Sequence, residues 1–468
     1  MPRHTLFLTG HLAENRLRSV LGGMSDLDFE WTVHDVGVQV AALMTADIIR
    51  RRLPQGALGA DRIIVPGHCQ GDLGALAAEL GIAIERGPVD LHDLPPYLGR
   101  DAQAIDLSRH NTRIFAEIVD APKLSLEAIV AAARKFAADG ADAIDLGCLP
   151  ATPFPHLEDA VAAVKALGLP VSVDSADLAE LKRGDRAGAD VVFSLSEATL
   201  GLATDLAATP VIIPARPGDL DSLVRAAERM SRLRRSFIAD SILDPIPFGF
   251  TASIARYAEL RRRLPEARIL MGIGNVTELV DADTTGSNAL LFGIIAELDI
   301  TEVLAVQVSP HCRRAIREAD RARRIMDAAK RLHRIPVGID PSLMALRERK
   351  PFTTTAAEIA ETAARIRDAN FRIEIAADGI HIYNRDQHRV GRSALELFPG
   401  LGVEADGAHA FYLGAELARA EIAWQLGKRY TQDEGLDWHC AVDPAPSEAH
   451  VAPGPTLPAR RRRRRGTP

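Results

Sequence analysis

The sequence predicts an α/β chain: a (β/α)8 TIM barrel with a Rossmann-like α/β domain before it and an α+β module after it. Three observations predict this. Gly-Ala-Asp recurs just before strand-like apolar runs, at Gly59-Ala60-Asp61, Gly140-Ala141-Asp142 and Gly188-Ala189-Asp190. A glycine closing a helix can take the left-handed conformation that returns the chain to a strand. Eight such runs alternate with helix-like stretches between residues 111 and 335, which is the usual size of a (β/α)8 barrel. Beyond 335 the period changes to alternating runs around an Asp-Gly step, the mark of a β-hairpin.

Taken in order, residues 1–110 hold strand-like runs at 5–8, 29–33 and 62–65, with a helix-like stretch at 38–52. Three or four strands with helices suit a separate doubly wound domain. It carries no GxGxxG and no GxxxxGK, so nothing supports a dinucleotide or Walker-type role. The barrel strands are predicted at 113–119, 143–146, 170–173, 191–195, 210–213, 236–239, 268–271 and 302–308. The third module, 336–442, has a hairpin over 371–375 and 379–383 and an amphipathic helix over 408–426. Phe411, Leu417, Ile422 and Leu426 are expected on one face of that helix. Residues 443–468 are rich in Pro and Ala and end in arginines 460–465, the composition of a disordered basic tail.

Composition excludes several classes. The chain has 468 residues, 47% hydrophobic and 25% charged, and a net charge of -7, so no global basic field favours nucleic acid. Cys69, Cys148, Cys312 and Cys440 form no CxxC pair, which argues against a zinc knuckle or a disulfide framework and fits a reducing cytoplasm. The most apolar stretch, 289–308, is broken by Glu297, Asp299 and Glu302, so no membrane span is expected. The N-terminus shows no signal peptide.

Barrel active sites lie at the C-terminal ends of the strands. Strand one closes with Glu117 and Asp120, strand two with Asp145, strand three with Asp174 and strand four with Ser194, Ser196 and Glu197. Strand six closes with Asp240, strand seven with Asn275, and strand eight with His311, Arg313 and Arg314. Asp174-Ser175 and the 194–196 segment can also cap the helices that follow. Acidic groups closing five strands are better explained by a ligand with many N–H donors, because an unpaired buried carboxylate is costly.

These motifs resemble those of the pterin-binding family that contains dihydropteroate synthases and pterin-dependent methyltransferases. Gly140 to Gly147 is similar to its second-strand motif, and Val171-Ser172-Val173-Asp174-Ser175 to its third, whose Asp hydrogen-bonds the pterin. Asp240 stands where the family has its sixth-strand Asp. Gly272-Ile273-Gly274-Asn275-Val276-Thr277 resembles the seventh-strand motif of the methyltransferase branch. The whole chain except its tail resembles a dihydropteroate-synthase-like subgroup linked to tetrahydromethanopterin biosynthesis.

The resemblance implies pterin binding by Asp145, Asp174, Ser194, Ser196, Asp240 and Asn275, with Asp174 and Asp240 catalytic. It implies phosphate binding by His311 and Arg313, and Mg²⁺ as the counter-ion of a substrate diphosphate, held by Glu117 or Asp120. It implies no tightly bound organic cofactor, and it leaves room for a homodimer. The implied reaction joins 6-hydroxymethyl-7,8-dihydropterin diphosphate to an arylamine with release of diphosphate. The usual Asn after strand one and the Ser-Thr-Arg-Pro loop after strand two are replaced by 117–123 and 149–153. These changes suggest a different arylamine, which the resemblance implies to be 4-(β-D-ribofuranosyl)aminobenzene 5'-phosphate rather than p-aminobenzoate. The alternatives are a corrinoid-linked pterin methyltransferase and a non-catalytic pterin-binding protein.

Overall fold

A computed structural model of the chain describes residues 3–443 except 25–26, 40, 42–43, 54–58, 89–90, 92–93 and 100–104. Apart from Asp443, the expected basic tail lies outside the described residues. The chain divides into two compact units between Ile105 and Asp106, a few residues before the expected boundary at 110. The barrel and the C-terminal module share the second unit.

The N-terminal unit is a four-stranded sheet of β1 (Arg3–Thr9), β2 (Phe29–Asp35), β3 (Arg62–Val65) and β4 (Ala83–Arg86), in the order β2-β1-β3-β4. All its pairings are parallel. Both faces are covered. Leu6, Leu8, Ile63 and Val65 pack with Ile49 and Leu76, while Phe7, Val33 and Ile64 pack with Leu17 and Leu21. Alternation along buried strands produces this two-sided core.

The second unit opens with a closed parallel barrel. Its strands are β5 (Arg113–Ile118), β6 (Ala143–Gly147), β7 (Val171–Asp174), β8 (Val191–Leu195), β9 (Thr209–Ile212), β10 (Ile238–Ala239), β11 (Arg268–Gly272) and β12 (Glu302–Ala305). Pairing of β12 with β5 closes the ring. All eight lie within a residue or two of the predicted runs, except that β10 and β12 are shorter.

The repeated Gly-Ala-Asp has a common structural task. Each Asp lies one residue before its strand and clamps the neighbouring strand. Its N–H donates to a carbonyl there: Asp61 to His4, Asp142 to Ile114 and Asp190 to Val171, at 2.8, 2.9 and 2.8 Å. Its carboxylate accepts the N–H of the same residue, at 2.7, 2.8 and 2.9 Å. These three aspartates therefore set parallel register at the opposite end from the strands' C-terminal rim. Gly140 is forced on a second count. At φ 105° it passes so close to Asp320 that a Cβ would lie 2.6 Å from that side chain. Arg323, 3% exposed, donates to the Gly140 and Thr112 carbonyls and pairs with Asp320 and Asp142.

Alternate strand residues fill the barrel in layers. At the N-terminal end Glu302 is bound by Arg113 and Arg268. Above it Phe115, Ala143, Val191, Phe193, Val211, Ile238 and Leu270 form an apolar floor, with Phe115 and Phe193 edge-to-face at 6.0 Å. The next inward position on β5, β6, β7 and after β10 carries a carboxyl group.

The C-terminal module is an antiparallel sheet of β13 (Arg372–Ala376), β14 (Gly379–Tyr383) and β15 (His388–Gly391), with a long helix, Gly407–Leu426. The turn is Ala377-Asp378, and Gly379 already pairs with Ala376. β15 was not predicted, because four residues with one apolar member, Val390, give no readable alternation. The helix buries Leu413, Leu417, Ala420 and Ala423, whereas Phe411 is 80% and Ile422 42% exposed. The expected shared face is wrong for those two: at about 100° per residue, Phe411 sits roughly 200° from Leu413. No described helix is long and apolar enough to cross a membrane.

Candidate functional site

The carboxyl groups meet at the C-terminal mouth because of strand register. Glu117 lies opposite Asp145, Asp145 opposite Ser172, and Gly147 opposite Asp174. Gly147 gives Glu117 its room: a Cβ there would stand 2.7 Å from Glu117 Oε1. Asp145 is fully buried. Its Oδ1 accepts from the Ser172 hydroxyl at 2.5 Å, and its Oδ2 has no partner. Asp174 accepts from the Ser194 hydroxyl at 2.9 Å.

Ser194 adopts φ 73° where the β8–β9 register shifts. A bulge of this kind re-aims a side chain, and a non-glycine residue in the left-handed region often marks a site. Across the mouth Asp240 accepts from the Tyr257 hydroxyl at 2.5 Å and the Ile242 N–H at 2.8 Å.

Among the described residues no cation forms an ion pair with these four groups, although Arg256 draws the Asp240 carboxyl down slightly, and their protonation reflects it. Burial, then Asp174, pushes Glu117 up to about 7. Asp145 rises well above the usual carboxylate range through burial and through Asp174 and Glu117. Asp174 rises through burial, opposed by Ser194. Burial lifts Asp240 to about 6 against the pull of Tyr257 and Ile242. Like charges that share a low-dielectric site resist simultaneous ionisation. Ligand N–H groups would relieve this as well as the free Asp145 oxygen.

The other predicted residues are placed differently. Ser196 donates its N–H to Thr199 Oγ1 at 2.9 Å and starts the turn after β8. Asn275 donates to the Leu243 carbonyl at 2.7 Å, tying the loop after β11 to the segment after Asp240. His311 and Arg313 line a cavity of about 440 Å³ with Thr284, Leu346, Trp438 and Val442, so the C-terminal module contributes a wall. The His311 ring reaches the Thr277 carbonyl. Arg313 is exposed and has no ionic partner among the described residues, whereas Arg314 is paired with Asp443.

Asp120 sits in a turn at φ 58°, paired with Lys123 at 3.0 Å, while Glu117 feels Asp174. Among the described residues the one group of three close metal-competent side chains is His11, Glu14 and Asp35, in the N-terminal unit.

Tyr257, Ser172 and Glu180 were not singled out from the sequence. Tyr257 lies mid-helix in Phe250–Arg263 with no motif around it, and Ser172, although inside the third-strand motif, lies mid-strand and was given no role. Glu180 accepts from the Ser175 hydroxyl and the Phe154 N–H beneath the loops after β6 and β7. Those loops border a cavity of about 870 Å³ lined by Leu149 to Pro153 and Ser175 to Glu180. Burial and Glu180 raise the neighbouring Cys148 thiol far above neutrality, which rules against a thiolate nucleophile.

Over residues 3–89 the chain matches a family of unknown function, DUF6513. An uncharacterized protein of Methanocaldococcus jannaschii is 25% identical over 523 aligned positions, covering 92% of this chain and 98% of the relative. Among solved structures, Yersinia pestis dihydropteroate synthase with a pterine-sulfa conjugate is 16% identical, covers 48% of this chain and 96% of its own, and has a TM-score of 0.38. The Thermus thermophilus synthase in complex with 6HMPPP is 23% identical, with coverages of 46% and 93% and a TM-score of 0.35. The Xanthomonas albilineans synthase with 7,8-dihydropteroate is 20% identical, with coverages of 45% and 92% and a TM-score of 0.34.

Proposed function

We propose that the barrel binds a reduced pterin and joins its 6-methylene carbon to an arylamine nitrogen, releasing diphosphate. The observation that carries the reading is the ring of Glu117, Asp145, Asp174 and Asp240, with no ion-pair partner among the described residues and one buried oxygen unpaired. The amino and ring N–H groups of a pterin are the complementary donors.

In this reading Asp145 and Asp174 hold the ring edge, with Ser172 and Ser194 fixing their orientation. The C–O bond to diphosphate breaks and leaves a cationic methylene. Asp174 and Asp240 stabilise that charge in a dry, preorganised site. The amine lone pair then forms the C–N bond, and Glu117, poised near neutrality, takes the departing proton. Mg²⁺ is assigned to the diphosphate itself, where it would neutralise charge on the leaving group.

The amine is proposed to be the ribosyl-phosphate form, in tetrahydromethanopterin biosynthesis, with His311 and Arg313 available to its phosphate or to the diphosphate. Each charge-assisted hydrogen bond is worth roughly 1.5–3 kcal/mol, or a preference over p-aminobenzoate of about tenfold or more. The test is diphosphate release with each amine under identical Mg²⁺. Faster release with the ribosylated amine supports the reading, and faster release with p-aminobenzoate removes the methanopterin assignment. Methyl transfer to a corrinoid protein without diphosphate release would replace the transferase reading altogether.

A further inference from the structure

A cluster on the C-terminal sheet has no part in this chemistry. β14 and β15 pair with His381 opposite Val390 and Tyr383 opposite His388. The two histidines are therefore diagonal neighbours on one face. His381 Nδ1 lies 3.1 Å from His388 Nε2. The other nitrogen of His381, Nε2, lies 3.0 Å from Asp378 Oδ1. His381 is 2% exposed, while half of the Asp378 side chain is open to solvent, and His388 is exposed. Glu374 stands opposite His381 on β13, but its carboxylate accepts the Tyr383 hydroxyl.

The carboxylate assigns the tautomer. Asp378 can only accept, so Nε2 of His381 carries the proton and Nδ1 offers its lone pair toward His388. Two imidazole nitrogens bound to one metal at ~2.0–2.1 Å lie roughly 2.9–3.4 Å apart for angles between ~90° and ~109°. The observed separation falls in that interval. A ligating histidine commonly donates its second N–H to a carboxylate, which fixes the ring and strengthens the ligand. Imidazole donors suit zinc, nickel or copper and not magnesium or calcium.

We propose that His381 Nδ1 and His388 Nε2 bind a divalent transition-metal ion, with Asp378 orienting His381 and water completing the coordination. The ion would pin the four-residue edge strand β15 to β14. The site is independent of the barrel's reaction, so the two readings stand or fall separately.

The experiment is titration of the full-length protein with Zn²⁺ against a chromophoric chelator, and with Co²⁺ followed by its visible absorption. The variants are His388→Gln, Asp378→Asn and His11→Ala, the last removing the His11, Glu14 and Asp35 group. The solvent-exposed position of His388 keeps His388→Gln foldable, as circular dichroism would check. One equivalent of metal that disappears in His388→Gln, weakens about 10–100-fold in Asp378→Asn and persists in His11→Ala is the expected result. If His388→Gln titrates like the unaltered protein, or if neither metal binds, the pair is only an N–H···N hydrogen bond and the proposal is wrong.

Discussion

Replacing Asp240 with Asn should make the barrel more stable at pH 8 while impairing its use of pterin. The Asp240 carboxyl titrates at about 6 in the fold, against about 3.9 for an unperturbed Asp. Its folded pKa is raised, so the folded state keeps the proton longer than the unfolded chain does. Stability is full below the unfolded pKa, falls as pH rises toward 6, and is flat at its lower value above that. About two pKa units at 1.36 kcal/mol each correspond to roughly 3 kcal/mol.

An Asn amide oxygen can still accept from the Tyr257 hydroxyl and the Ile242 N–H, so the hydrogen bonds survive while the charge does not. Urea titration of the barrel transition at pH 5 and pH 8 measures the difference. Asp240→Asn should gain up to about 3 kcal/mol over the unaltered protein at pH 8 and clearly less at pH 5. Pterin affinity should fall by about tenfold to a hundredfold, the worth of one charge-assisted hydrogen bond. If Asp240→Asn is less stable than the parent at pH 8, ionised Asp240 is not a strained group and the electrostatic argument for the site fails.

The remaining predictions concern the other side of the mouth and its outer edge. Glu117→Gln should remove a step near pH 7 from the pH profile of diphosphate release, because burial and Asp174 place its titration there. An unchanged profile would take Glu117 out of the proton pathway. Arg313→Ala should weaken the pterin diphosphate more than the free pterin in paired binding titrations, since Arg313 is exposed beside His311 and has no ionic partner among the described residues; equal weakening would make it a surface residue. Arg323→Met should destabilise the barrel by about 1–3 kcal/mol by taking the guanidinium donor from the Gly140 and Thr112 carbonyls and leaving Asp320 with Arg324 alone, which a shift of the urea midpoint would show. An unmoved midpoint would mean that the Gly-Ala-Asp seam is not held from this helix.

The barrel was legible because its signals are local. Glycine closes a helix, Asp clamps the adjacent strand, and apolar runs alternate with helices. The rim aspartates were legible too, since Asp145, Asp174 and Asp240 stand at strand ends and the barrel brings such ends together. Groups that depend on contacts between distant segments were not. Tyr257 reaches Asp240 from a helix 17 residues on, and Ser172 supports Asp145 across a strand pair. Asp120 stands in a turn where it pairs with Lys123, a contact that its place after strand one does not reveal. Phe411 misled for a related reason: an apolar residue two positions off the buried stripe belongs to the opposite face of a helix.

The most direct measurement is binding of free 6-hydroxymethyl-7,8-dihydropterin to the full-length protein and to Asp174→Asn, by calorimetry at neutral pH. Asp174 sits at the centre of the carboxyl ring, electrostatically joined to Glu117, Asp145 and Asp240. The account predicts one bound pterin per chain, weakened about tenfold to a hundredfold by the substitution, with the thermal unfolding transition of the variant preserved. Absence of binding to the unaltered protein, or equal binding to both, would contradict it.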